Sequence, residues 1–301
     1  MTLRGTVTGT LAAIALLAGA ATARAQSTPP APAADRAAYV FAAAGCAECH
    51  TVKGGKPLAG GRALKTPFGI FYSPNITPDP GTGIGKWTEA NLRRALREGR
   101  GPDGTHYYPV FPYPSFTFMT DEDIGAVYAY LMRQPPVVQA NKRHEIKFPY
   151  RIRATMIVWN DLYLERGPLR PDPRRPAAWN RGAYLVRALG HCGECHTPRN
   201  RLGSLDLDDM LSGTNDGPEG DPVPNITPDR ETGIGGWSDK DIEYLLETGQ
   251  KPDGDSVGGA MGAVVDLSTS KLTAEDRAAI TSYLKSLPPI RHQVRKAKAK
   301  G

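Results

Sequence analysis

The chain has 301 residues and a formal charge of +6, with 33 glycines and 27 prolines against 8% aromatics. No nucleic-acid motif accompanies this charge, and no segment beyond the first residues approaches the roughly 20 apolar residues of a membrane span, so neither role is expected. The length suits two loop-rich domains.

In chain order, residues 1–25 read as a secretory signal. Arg4 supplies the charged region, Leu11 to Ala21 an apolar run, and Ala23-Arg24-Ala25 the cleavage site. The mature protein is therefore expected in the periplasm, with a flexible stretch over 26–35. A helix is predicted from about Asp35 to Gly45, running into Cys46-Ala47-Glu48-Cys49-His50. The pattern returns as Cys192-Gly193-Glu194-Cys195-His196 after a predicted helix from Trp179 to Gly190, and the two copies hold every cysteine.

C-x-x-C-H is the attachment signature of c-type haem. Cys46, Cys49, Cys192 and Cys195 would add to porphyrin vinyl groups, with His50 and His196 as proximal iron ligands. Structural zinc and redox dithiol chemistry are the competing readings. The adjacent His in both copies favours two covalently bound haems c, which leaves no thiol for a disulfide.

The rest of the chain also repeats. Pro74-Asn75-Ile76-Thr77-Pro78-Asp79 recurs as Pro224-Asn225-Ile226-Thr227-Pro228-Asp229, and Gly83-Ile84-Gly85-Lys86-Trp87 as Gly233-Ile234-Gly235-Gly236-Trp237. After each Trp, Thr88 or Ser238 caps a predicted helix that stops near Gly99 or Gly249. A closing helix begins at Thr120 or Thr273. Its inward stripe is Ile124, Val127, Tyr128 and Leu131 in the first copy, and Ile280, Tyr283, Leu284 and Leu287 in the second.

The predicted fold is all-α, with two tandem class I cytochrome c-type haem domains at 36–132 and 179–290. A long proline-rich linker (133–178) joins them, and a basic tail (291–301), read as a solvated end, follows. The linker holds seven prolines but also Phe148, Tyr150, Trp159 and Tyr163, so it is expected to pack across both domains. Gly81 to Gly85 resembles a nucleotide loop without its βαβ context, and the Asn-Ile-Thr triplets fit a glycosylation sequon. Neither is expected to carry the function.

The sixth iron ligand sets the chemistry. Met261, in Gly258-Gly259-Ala260-Met261-Gly262, lies in a small-residue loop where a distal ligand belongs. The corresponding position of the first copy is Phe111, which cannot ligate iron. Met119 is the nearest substitute, with a vacant or water-bound site, His106 or His144 as alternatives; Met119 could equally staple onto Ile124.

Trp179-Asn180-Arg181-Gly182-Ala183-Tyr184-Leu185, the run Gly190 to Asn200 around the second haem motif, both Asn-Ile-Thr-Pro-Asp segments and Tyr113-Pro114-Ser115-Phe116 resemble cytochrome c subunits of bacterial membrane-associated dehydrogenases. Those subunits serve quinoprotein alcohol dehydrogenases, flavoprotein gluconate and sorbitol dehydrogenases, and molybdenum hydroxylases of aldehydes and N-heterocycles. Many members carry a third haem domain, which is not seen after Leu287-Pro288-Pro289, and many have Met where Phe111 stands.

The resemblance implies an electron-transfer subunit, attached peripherally or through its partner to the inner membrane. It would take electrons from a dehydrogenase catalytic subunit and pass them towards quinone or a terminal oxidase. The alternative is a dihaem, peroxidase-like enzyme that uses an open first haem.

Overall fold

The computed structural model describes residues 33–295, so the expected signal segment 1–25 and the end of the basic tail, 296–301, lie outside the described residues. The elements are α1 (Ala33–Ala43), α2 (Cys46–His50), β1 (Ala63–Thr66), β2 (Gly69–Tyr72), α3 (Glu89–Glu98), α4 (Tyr113–Phe116), α5 (Asp121–Met132) and β3 (Glu145–Ile146). There follow α6 (Thr155–Tyr163), α7 (Ala177–Tyr184), a π-helical turn (Leu185–Leu189), α8 (Gly193–His196), α9 (Asp239–Thr248), α10 (Gly259–Leu267) and α11 (Ala274–Lys285). Among the described residues, no helix is long and apolar enough to cross a membrane.

The capped helices start where their caps stand. The Thr88 and Ser238 hydroxyls accept from the N–H groups of Asn91 and Asp241, whose side chains accept from the cap N–H in return. Gly99 and Gly249 close α3 and α9 in the left-handed region, at φ 61° and 78°. The Thr120 and Thr273 hydroxyls likewise accept from the Asp123 and Asp276 N–H groups, without the reciprocal bond. The predicted stripes of α5 and α11 are buried at Ile124, Val127, Leu131, Ile280, Tyr283 and Leu284.

The all-α expectation needs correction: the protein is mostly helical but holds a three-stranded antiparallel sheet in the order β1-β2-β3. Gly69 makes it possible, because a Cβ there would meet the Glu145 carbonyl oxygen at 2.2 Å. Two other boundaries move. Residues 33–35, expected to be flexible, already belong to α1. The beginning of the tail is tied down: the His292 N–H donates to Thr232 Oγ1 at 3.1 Å, the Arg295 N–H to Asn215 Oδ1 at 2.8 Å, and Arg291 pairs with Glu231.

α1 packs on α5, and α7 on α11. Both pairs feed one continuous apolar core, from Val40, Phe41 and Ile124 to Val186, Leu189 and Ile280. Across it the two copies are latched reciprocally. The Tyr39 hydroxyl, on α1, donates to Asp276 Oδ2 of α11 at 2.5 Å and accepts from the Thr273 N–H at 3.2 Å. The Tyr184 hydroxyl, on α7, donates to Asp123 Oδ2 of α5 at 2.7 Å and accepts from the Thr120 N–H at 3.1 Å.

Residues 133–178 touch both copies. β3 extends the sheet of the first, while Trp159 Nε1 on α6 donates to the Leu202 carbonyl of the second at 2.9 Å.

Candidate haem-attachment sites

Each Cys-x-x-Cys-His stretch forms a single helical turn with its His at the end. His50 Nδ1 lies 2.8 Å from the Pro74 carbonyl oxygen, and His196 Nδ1 lies 2.8 Å from that of Pro224. A carbonyl only accepts, so Nδ1 carries the proton in both rings and the Nε2 lone pair is free for a metal. Burial pushes both imidazoles below their usual pKa while the proline carbonyl works the other way, so both rings are neutral at pH 7, the state a metal requires.

The carbonyl is held by a construction repeated in each copy. The Gly60 N–H donates to the His50 carbonyl at 2.8 Å, and the Gly213 N–H to that of His196 at 2.7 Å. Both glycines have positive φ, 73° and 85°. A Cβ on Gly60 would sit 2.4 Å from the Pro74 carbonyl carbon and oxygen, and one on Gly213 2.6 Å from the Asn225 nitrogen. Asn75 Nδ2 and Asn225 Nδ2 then bind the Val137 and Ile290 carbonyls, each at 2.7 Å. The Asn-Ile-Thr loop, not expected to carry function, is thus the support of the proximal histidine. Its recurrence beside each haem motif was the signal for this role.

The thiols separate the three chemical readings. All four cysteines are free. Burial pushes Cys46, Cys192 and Cys195 up to about 12 and raises Cys49 as well. A redox dithiol needs a depressed thiol pKa, so these surroundings do not suit one. Among the described residues, no three His, Cys, Asp or Glu side chains converge as metal ligands, which a structural zinc site demands. Thioether attachment needs neither property. It needs two paired thiols, a neutral His beside them and apolar surroundings. Beside Cys46 lies a hollow walled by Phe41 and Tyr130 of the first copy and Leu267 and Lys271 of the second. The donor set fits haem c.

The two motifs are neighbours. α10 packs against α2, and Glu48 lies close enough to Cys192 to raise its thiol further. On the other side, the Ser115 hydroxyl donates to Glu194 Oε1 at 2.6 Å, and the rings of Phe116 and His191 meet edge-on at 5.2 Å. The His191 imidazole also meets the Ala44 carbonyl, just before the first motif. His191 is therefore an interface residue between the copies.

Met261 lies in the first turn of α10 and not in the predicted loop. Gly258 is the N-cap of that helix, which runs from Gly259 through Met261 and Gly262 to Leu267. Met119 is buried together with Ile124, the arrangement of the staple. Neither hydrogen bonds nor ring contacts bring His106 or His144 to the first motif. The His106 carbonyl accepts from Arg153 at 2.7 Å, and His144 accepts from the Tyr72 N–H at 3.1 Å beside Phe71 and Tyr108.

Residues 34–134 match the cytochrome c family. The chain is 43% identical to a "Diheme cytochrome c-type" protein of Cereibacter sphaeroides over 85% of this chain and 86% of that protein. It is 45% identical to one subunit of the nicotinate dehydrogenase of Pseudomonas putida, over 92% of this chain but only 24% of that one. It is 41% identical to the cytochrome c subunit of a gluconate 2-dehydrogenase of Pantoea cypripedii, over 84% of this chain and 59% of that one. The chain thus spans less than two thirds of these dehydrogenase subunits. With two neutral, carbonyl-oriented histidines beside paired free thiols, and with these relatives, the chain belongs to the cytochrome c family, in the group that holds the dihaem c-type cytochrome and the cytochrome subunits of bacterial dehydrogenases.

Proposed function

We propose that this protein carries two covalently attached haems c in two tandem domains, 36–132 and 179–290, bridged by 133–178. In the periplasm it takes electrons from a dehydrogenase catalytic subunit and relays them towards quinone or a terminal oxidase. The observation that carries this reading is the duplicated histidine arrangement, each ring with Nδ1 spent on a proline carbonyl. Haem c supplies one-electron exchange between ferrous and ferric iron.

The chain's own residues do the rest. Cys46, Cys49, Cys192 and Cys195 would hold the porphyrins, and His50 and His196 would offer Nε2 to iron. Pro74 and Pro224 fix the ring planes and keep the imidazoles electron-rich. Met261, and Met119 in the first copy, are the sulfur donors proposed for the two irons; such ligation would raise the potential and close the iron to small molecules. The relatives named as dehydrogenase subunits support a dehydrogenase catalytic partner, which we take to be of quinoprotein, flavoprotein or molybdenum type.

The test is spectroscopic. Protein exported from its host should carry two haems that resist acid–acetone extraction, both low-spin and both inert to CO and peroxide. M261A and M119A should each convert one haem to a CO-binding form. A high-spin first haem that turns over peroxide in the unaltered protein would replace this reading with the enzymatic one. A colourless product would end both.

A further inference from the structure

Both copies continue past their closing helix in the same way. Pro135-Pro136-Val137-Val138-Gln139 follows α5, and Pro288-Pro289-Ile290-Arg291-His292 follows α11. Two successive prolines cannot extend a helix, so the chain departs there. It then runs along the Asn-Ile-Thr loop of its own copy. The Val137 and Ile290 N–H groups donate to Thr77 and Thr227 Oγ1, each at 3.1 Å. Two residues on, the Gln139 and His292 N–H groups donate to Thr82 and Thr232 Oγ1, at 3.0 and 3.1 Å.

The side chains of these last two residues reach the turn beneath each proximal histidine. Gln139 Nε2 donates to the Ala59 carbonyl at 2.7 Å and to that of Gly60 at 3.2 Å. His292 Nδ1 lies 3.1 Å from the Ser212 carbonyl oxygen, which only accepts, so this nitrogen carries the proton. Ala59 and Ser212 are buried, and a buried carbonyl needs a donor.

Each of these carbonyls stands between two residues in the left-handed region. Leu58 and Gly60 have φ 58° and 73°, and Leu211 and Gly213 have 67° and 85°. A leucine there is strained, and such a turn persists only where its surroundings hold it. Its glycine is the one whose N–H binds the histidine carbonyl, and which leaves no room for a Cβ against the Pro74 or Pro224 carbonyl carbon.

We propose that Gln139 and His292 are positioning residues for the two proximal histidines, each acting through the left-handed turn it pins. One copy uses an amide for this and the other an imidazole. The proposal rests on the haem reading of His50 and His196. With the turn pinned, the proline carbonyl stays on Nδ1 and keeps the imidazole a strong donor to iron. With the pin removed, that hydrogen bond loosens, the imidazole gives the iron less electron density and the haem potential rises.

The experiment is a redox titration of both haems in the holoprotein and in three variants. H292A should raise the potential of one haem and Q139A that of the other, each leaving the second haem of the same molecule at its parent value. H292Q, which gives the second copy the amide of the first, should restore the parent value. Loss of a single haem in H292A, restored in H292Q, would support the same role. Covalent haem content and the melting temperature show which variants are folded.

A parent without covalent haem would end the haem reading itself. In a parent with two haems, potentials unmoved by H292A and Q139A, or both haems moving together in either variant, would overturn the positioning role alone. So would H292Q behaving as H292A does, since the donor to the Ser212 carbonyl would then not be what matters.

Discussion

The two haem motifs share a backbone and differ in what surrounds it. In both, the histidine carbonyl is bound by a left-handed glycine and the imidazole by a proline carbonyl. The acids inside the motifs diverge. Burial pushes Glu48 up to about 7, with Arg62 opposing the shift. Glu194 instead pairs with Arg199 at 2.6 Å and accepts from Ser115 at 2.6 Å.

The interlocking latches diverge in the same way. Asp276 is gripped by both Nε and Nη2 of Arg181, at 2.8 and 2.6 Å, whereas Asp123 takes a single 2.7 Å contact from Arg36. Hydrogen bonds that fix the backbone have been kept in both copies. Side chains at the seam are free to differ because each needs to satisfy only its own neighbours.

The sharpest way to separate the copies is to remove one attachment site at a time. C46A/C49A and C192A/C195A should each halve the covalent haem per polypeptide, read from the pyridine haemochrome spectrum. If either variant lost both haems, the copies would not mature separately.

Next in size are the glycines under the histidines. G60A forces a Cβ onto the carbonyl that holds His50, and should cost about 3 kcal/mol, with a shifted potential at one haem. G213A, whose nearest contact is slightly longer, should cost about 2 kcal/mol. Thermal unfolding and redox titration measure both, and equal haem potentials in G60A and the parent would detach Pro74 from the tuning role.

The latches should follow. Y39F should destabilise by about 1–2 kcal/mol and Y184F by about 1 kcal/mol, since a hydroxyl bonded to a charged carboxylate is worth more than a neutral pair. The reverse order in urea unfolding would show that the Arg181 fork does not strengthen the first latch.

The smallest effect is in acid. Burial alone would raise Asp276, but the hydrogen bonds from Arg181 and Tyr39 outweigh it and hold the carboxyl below its ordinary value. Its contribution is therefore complete above the unfolded pKa, about 3.9, and is lost as pH falls through the lower folded value. The parent should lose stability more steeply than D276N below about pH 4; parallel acid limbs would remove Asp276 from the account.

Much of this could be read from residue order alone. Two thiols and a His within one helical turn are adjacent in sequence, so Cys46 to His50 and Cys192 to His196 stand out as candidate attachment motifs. Helices α3, α5, α9 and α11 start at hydroxyl caps, and α3 and α9 end at glycines, all adjacent in sequence to the turns they close.

The sheet was hidden because β3 is two residues long and pairs with a strand more than seventy positions earlier, through a glycine whose close approach leaves no local pattern. The Asn-Ile-Thr loop was visible as a repeat but not as a support, since the atom that matters is a backbone carbonyl, which every residue has. The latches between Tyr39 and Asp276, and between Tyr184 and Asp123, join helices from opposite copies. Local chemistry chose the helix ends and the turns that carry the Cys-x-x-Cys-His motifs because those interactions span only a few positions. Which helix meets which, and which carboxylate a tyrosine finds, depends on burying one shared core, and only the folded chain decides that.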